Sequence, residues 1–212
     1  MCHMWGAIVA QYYGSVAVNQ NAPRWNVMRE AYRGLMPINP SQRKPDVAVV
    51  AHFTVPPAGH IFNLQHRDSL WVECKAPNKD TPSEWKNLVN EAVVRLNNSH
   101  PTRQLFLIFA IGIKAMVFLW DPVTPAVPGA VGLFIRGHGH IWALDRRILP
   151  INASQWCNVA TGEVDPSQAL VLDCWTRTPG GALRNWHMLR WLHRFLRGSS
   201  QIVLPGMNPG VW

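Results

Sequence analysis

Acid is scarce in this chain. Asp and Glu number 12 in 212 residues, Lys only 5, and charged residues of every kind make up 15%. An extended, solvated chain needs more charge and fewer apolar side chains than this, which excludes a disordered class. Cysteine is sparse too. Cys2, Cys74, Cys157 and Cys174 are widely separated, with no Cys-x-x-Cys pair and no Cys/His zinc-finger spacing, so neither a disulfide framework nor a thiolate zinc site is expected. They are read as reduced thiols of an intracellular protein. No uninterrupted apolar run reaches the ~18–20 residues that span a bilayer. The opening MCHMWGAIVAQYYGSVAV has no basic start and is broken by Gln11, so it makes a poor signal peptide. Neither a Gly-x-Ser-x-Gly elbow nor a phosphate-binding glycine loop is present, and there is no internal repeat. His66-Arg67-Asp68 stands without the other kinase motifs and reads as a turn, as does His138-Gly-His140 at a hairpin tip.

What is present argues for a packed fold. Hydrophobic residues make up 48% of the chain and Trp alone numbers 11, enough for one globular domain over residues 1–212 with a sizeable core. The basic side dominates, with 20 Lys and Arg, a formal charge of +8 and a sequence pI near 9.9. That balance favours an anionic partner such as nucleic acid or a membrane surface.

Periodicity divides the chain into an N-terminal element (1–20), a core (21–150) and a C-terminal extension (151–212). Trp25, Met28 and Leu35 recur at helical spacing after Pro23, which predicts a first helix over about 21–35. DVAVVAHF (46–53), IFNL and SLWVECK read as an antiparallel meander. Thr81, Pro82 and Glu84 then spell a capping box, and Trp85, Leu88, Val89, Ala92, Val93 and Leu96 form one helical stripe behind it. QLFLIFAI and KAMVFLW are apolar almost throughout, as strands at the covered centre of a sheet should be. GLFIR and IWALD make a hairpin expected to extend that sheet, and ALVLDCW is a further strand candidate. A last helix over about 182–197 has an apolar side and a cationic side, the latter carrying Arg190, Arg194 and Arg197.

Chemistry concentrates where acid and base meet on strands. Side chains alternate along a strand, so Glu73 and Lys75 share a face with Trp71 and stand ~7 Å apart at their Cα atoms. Asp46 follows Pro45 at the head of an earlier strand, and if the two strands are neighbours the three groups converge. Two carboxylates suit Mg²⁺, and a lysine beside them can serve a water or offset phosphate charge. The acid-x-Lys triplet alone is weak, since random placement yields about 0.3 of them in such a chain. A second copy, Glu84-Trp85-Lys86, falls on a helix, where residues two apart point ~200° from each other.

Pro45-Asp46 followed by Glu73-Cys74-Lys75 resembles the PD-(D/E)XK nuclease superfamily. The resemblance covers roughly residues 21–120. It implies an α/β, restriction-endonuclease-like mixed sheet flanked by helices, here with a basic amphipathic C-terminal helix. It further implies that Asp46, Glu73 and the backbone carbonyl of Cys74 bind Mg²⁺, with Mn²⁺ as a substitute, and that Lys75 serves the attacking water. Glu30 is the candidate for the additional acid that some members carry. The expected activity is metal-dependent endonucleolytic hydrolysis of DNA, ahead of RNA, by metal-activated water. Arg184, Arg190, Arg194 and Arg197 are candidates for backbone contact, and a homodimer is compatible with the reading. The alternative is a catalytically inactive nuclease-like module that binds nucleic acid or a protein.

Overall fold

The computed structural model describes residues 2–13, 24–29, 46–54, 64–123, 131–151, 155–173, 176–182 and 186–199. In chain order these form α1 (Cys2–Ala10), β1 (Arg24–Arg29), β2 (Val47–Thr54), β3 (Leu64–Lys75), α2 (Pro82–Ser99), β4 (Leu105–Ile111) and β5 (Lys114–Trp120). There follow β6 (Phe134–Gly137), β7 (His140–Ala143), β8 (Ile148–Pro150), β9 (Cys157–Asn158), β10 (Glu163–Val164), β11 (Leu170–Val171) and α3 (Trp186–Ser199). The class is mixed α/β.

The main sheet has the order β1-β2-β3-β4-β5-β11, and β8 also pairs with β5. β1, β2 and β3 form an antiparallel meander, β3 and β4 run parallel, and β4 turns back antiparallel into β5. A parallel step cannot be closed by a tight turn, and α2 is the crossover that closes it. The apolar runs of β4 and β5 sit at the centre as their composition requires, and every residue of β4 is buried.

Strand alternation assigns the layers. Trp71, Glu73 and Lys75 share one face with Leu107, Phe109 and Ile111, while Leu70, Val72 and Cys74 share the other with Phe106, Ile108 and Ala110. α2 covers the first face. Its stripe of Trp85, Leu88, Val89, Ala92, Val93 and Leu96 is buried, and Arg95 reaches Glu73. α3 covers the second face, where Phe195 meets Phe106 edge-on with ring centres 5.3 Å apart. α1 lies beside it, since the Tyr12 hydroxyl is 3.0 Å from Nδ1 of His193. No described helix is long and apolar enough to cross a membrane.

α2 starts as its sequence says, with Pro82 in the first turn and Thr81 Oγ1 accepting the Glu84 N–H at 3.3 Å. Only half of the expected capping box forms. The Thr81 N–H donates to the Lys79 carbonyl, and the Glu84 carboxylate turns to Lys75.

Three expectations are corrected. Within the predicted helix over 21–35, the described residues form β1, because pairing with β2 from Arg24 opposite His52 to Arg29 opposite Val47 satisfies its backbone more fully than a short helix could. His66-Arg67-Asp68 is not a turn but part of β3, which carries a register shift opposite Val49 and Val50. Asp68 is buried there because it accepts from Trp71 Nε1 at 2.8 Å and lies 3.0 Å from His100 Nε2. The hairpin of β6 and β7 does form, turning through His138 (φ 49°) and Gly139 (φ 78°). It belongs to a second sheet, β7-β6-β10-β9, instead of extending the first. Among the described residues ALVLDCW contributes the two-residue β11, and the last helix spans Trp186–Ser199. The described cysteines, Cys74 and Cys157, are not joined in a disulfide.

The second sheet meets the first turn of α2 through Gly137, where a Cβ would stand 2.5 Å from the Pro82 Cβ. Gly137→Ala is therefore expected to lower stability by about 1–3 kcal/mol in chemical denaturation. Gly132→Ala, where nothing lies within 4 Å, is expected to change it by less than about 0.5 kcal/mol.

Candidate active site

The two acids singled out from the sequence meet at a corner of the sheet. β2 begins at Val47, opposite Val72, so β3 runs three residues past its partner and Asp46 falls opposite Glu73. On the other side Glu73, Cys74 and Lys75 stay paired to Phe109, Ala110 and Ile111 of β4. On the β2 side the described strand ends before it reaches Cys74, and the Asp46 side chain meets the Cys74 backbone there. Asp46 Oδ2 accepts the Cys74 N–H at 2.6 Å, a short charge-assisted bond. The N–H and C=O of one strand residue point the same way, so the Cys74 carbonyl also faces the Asp46 side.

Glu73 lies beneath α2, with only 1% of its surface exposed. The crossover helix covers it, with Arg95 of α2 on its carboxylate. Its Oε2 accepts from Arg95, while Oε1 is buried and has no hydrogen-bond partner among the described residues. Burial raises the pKa of Glu73 from its ordinary 4.5 to about 8; Arg95 opposes the shift and the neighbouring Asp46 adds to it. One arginine therefore does not offset the cost of holding this carboxylate ionised so far from water.

Lys75 stands at the rim with its side chain 20% exposed. Its Nζ bonds Glu91 Oε1 at 2.8 Å and lies 3.6 Å from Glu84 Oε2. The corner is thus Asp46, Glu73 and Lys75 from the strands, met by Glu84, Glu91 and Arg95 from α2. Sequence reading missed the last three as site residues. Their spacing of seven and four puts them on one helix edge beside the apolar stripe, which is the signal that could have found them.

The donor set can be tested for a divalent cation. Among the described residues no three His, Cys, Asp or Glu side chains converge on a point. Two carboxylates, Asp46 and Glu73, are neighbours here, the Cys74 carbonyl faces the Asp46 side, and one oxygen of Glu73 is buried without a hydrogen-bond donor among the described residues. Hard oxygen donors of this number suit Mg²⁺, which fills its remaining positions with waters or phosphate oxygens. The residues fit.

Glu30 and Arg184 lie outside the described residues. Arg190, Arg194 and Arg197 are not at this corner. With His193 and Gly198 they line a cleft of about 430 Å³ on α3, in the layer on the opposite face of the sheet from Glu73. His138 and His140 end at an exposed hairpin, with His140 stacked on Trp142 at 5.8 Å between ring centres. Compared with known protein families, curated proteins and solved structures, the chain finds no match.

The raised pKa of Glu73 has a definite sign for stability. A carboxyl whose folded-state pKa exceeds its unfolded value favours folding fully below pH 4.5 and loses that contribution as pH rises through about 8. In metal-free buffer, Glu73→Gln is expected to remove this dependence. The variant should gain on wild type between pH 5 and 8, by at most about 1.4 kcal/mol per pH unit. Urea denaturation at several pH values reads the slope, and parallel slopes for the two proteins would contradict the assignment.

Proposed function

We propose that this protein is a Mg²⁺-dependent phosphodiester hydrolase acting on DNA, with RNA as the lesser candidate substrate. The observation that carries the reading is Glu73 Oε1: a buried carboxylate oxygen with no donor among the described residues, on a side chain whose neighbour is a second carboxylate, Asp46. The order helix, three antiparallel strands, crossover helix and parallel strand supports a restriction-endonuclease-like core, since the PD-(D/E)XK pattern falls where that core would place it.

Asp46, Glu73 and the Cys74 carbonyl would hold the cation. When bound, Mg²⁺ would make water a stronger nucleophile at neutral pH and shield the charge of the phosphate. The chain's own groups do the remaining work. Asp46 holds the end of β3 through the Cys74 N–H. Arg95 neutralises one oxygen of Glu73 and fixes its carboxylate plane. Lys75 Nζ, held at the rim by Glu91, would orient the attacking water and balance charge as the phosphorus is attacked in line. α2 shuts bulk water away from Glu73, which strengthens each of these interactions.

The Glu73–Arg95 pair favours a second reading. An arginine on a buried glutamate is also how a binding module would retain this fold without a cation, and breaking such a pair costs about 3–5 kcal/mol. Plasmid nicking decides between the two. Purified protein with Mg²⁺ is expected to nick and linearise supercoiled DNA, and both Asp46→Ala and Lys75→Ala should slow this by about a hundredfold or more. Nicking unchanged in both variants would discard the assignment. DNA binding without any Mg²⁺-dependent cleavage would establish the binding module.

A further inference from the structure

Between α1 and α3, on the face of the sheet away from Glu73, lies a cavity of about 750 Å³. Its walls include Met4, Ile8, Leu172, Leu189 and Leu192, and its polar side chains are Gln11, Tyr12, Arg190 and His193. Trp186, also part of its lining, is 58% exposed. A space this large, walled by leucine, isoleucine and methionine, falls in the size range of sites that take small organic molecules.

What it takes is indicated by its neighbour. The cleft of about 430 Å³ on α3 is lined by Arg190, His193, Arg194, Arg197 and Gly198, so the two spaces share Arg190 and His193 as a common wall. One space is apolar and the other cationic. No Asp or Glu is among the described residues lining either one, and α3 itself carries no acid. We propose that α1 and α3 form a binding site for a single-chain amphiphile with an acidic head, such as a long-chain carboxylate or an alkyl phosphate. The chain would lie in the apolar cavity and the head in the arginine cleft.

Geometry favours this occupant over two others. Nucleic acid backbone would satisfy the arginines but leave the apolar cavity empty. A bilayer surface needs an outward apolar helix face, whereas Leu192 and Leu196 of α3 are buried against the fold. A monomeric amphiphile satisfies both halves. Guanidinium groups grip carboxylate and phosphate through parallel N–H donors, and the tail contributes in proportion to the apolar area it removes from water. The site is on the other side of the sheet from Asp46 and Glu73, so it does not depend on the nuclease reading.

Fluorescence titration of the full chain with a dansyl-labelled undecanoic acid tests the proposal. Saturable binding at one site is expected, with displacement by dodecanoate and by dodecyl phosphate, the tighter of the two naming the head. Dodecanol should displace about tenfold more weakly. Arg190→Gln should weaken the two anions about tenfold and leave dodecanol unchanged, a pattern that misfolding cannot produce. Ile8→Trp, which fills the cavity, should abolish probe binding while the thermal midpoint stays near that of wild type. The proposal is overturned if the folded chain shows no saturable binding, or if both variants bind as wild type does. It is equally overturned if a short DNA duplex displaces the probe and dodecyl phosphate does not, or if association is seen only with phosphatidylglycerol vesicles.

Discussion

One hydrogen bond organises the corner on which the functional reading depends: the Cys74 N–H donating to Asp46 Oδ2 at 2.6 Å. β2 starts one residue too late to pair with Glu73, so the end of β3 would otherwise offer an unpartnered donor on that side. A carboxylate answers it. That solution brings a second carboxylate against Glu73, in a place that α2 has already shielded from water. The same bond that completes the strand thus creates an excess of negative charge, and the pKa of Glu73, raised to about 8 chiefly by burial, records its cost. Arg95 offsets part of the cost from the helix side. A divalent cation bound between the two carboxylates would offset the rest, because ion binding and carboxylate ionisation favour each other.

The parallel step from β3 to β4 then dictates where everything else can go. Its crossover places α2 over Trp71, Glu73 and Lys75, which leaves α1 and α3 to cover Leu70, Phe106 and their neighbours. The basic helix therefore cannot act as a simple extension of the carboxylate corner. The formal charge of +8 is spread over a chain that keeps its catalytic candidates in one layer and its α3 arginines in the other. Net charge alone could not reveal that division, because it carries no direction.

How much of this was legible in the sequence varies with how local the deciding interaction is. The shared face of Glu73 and Lys75 follows from strand alternation, and the approach of Asp46 to Glu73 from neighbouring strands; Lys75 instead pairs with Glu91 and Glu84 of α2. α2 was readable to its first residue because Thr81, Pro82 and the apolar stripe are all short-range signals. β1 was not. Trp25 and Met28 fit a helix period, but over six residues the pairing partner decides, and Ala51 and Ala48 lie opposite them. Polar His66-Arg67-Asp68 suggested a turn because the groups that let Asp68 be buried include His100, which comes from the far end of α2. Arg95 stayed hidden for the same reason: its partner is set by how α2 crosses β3.

The central claim is that the Asp46–Glu73 corner binds a divalent cation, and anomalous diffraction from crystals soaked in Mn²⁺ tests it most directly. The account predicts one strong peak within about 2.1 Å of Asp46, Glu73 Oε1 and the Cys74 carbonyl, absent in Glu73→Gln. A corner with no peak in the soaked wild-type crystals, and with Arg95 still seated on Glu73, would contradict it.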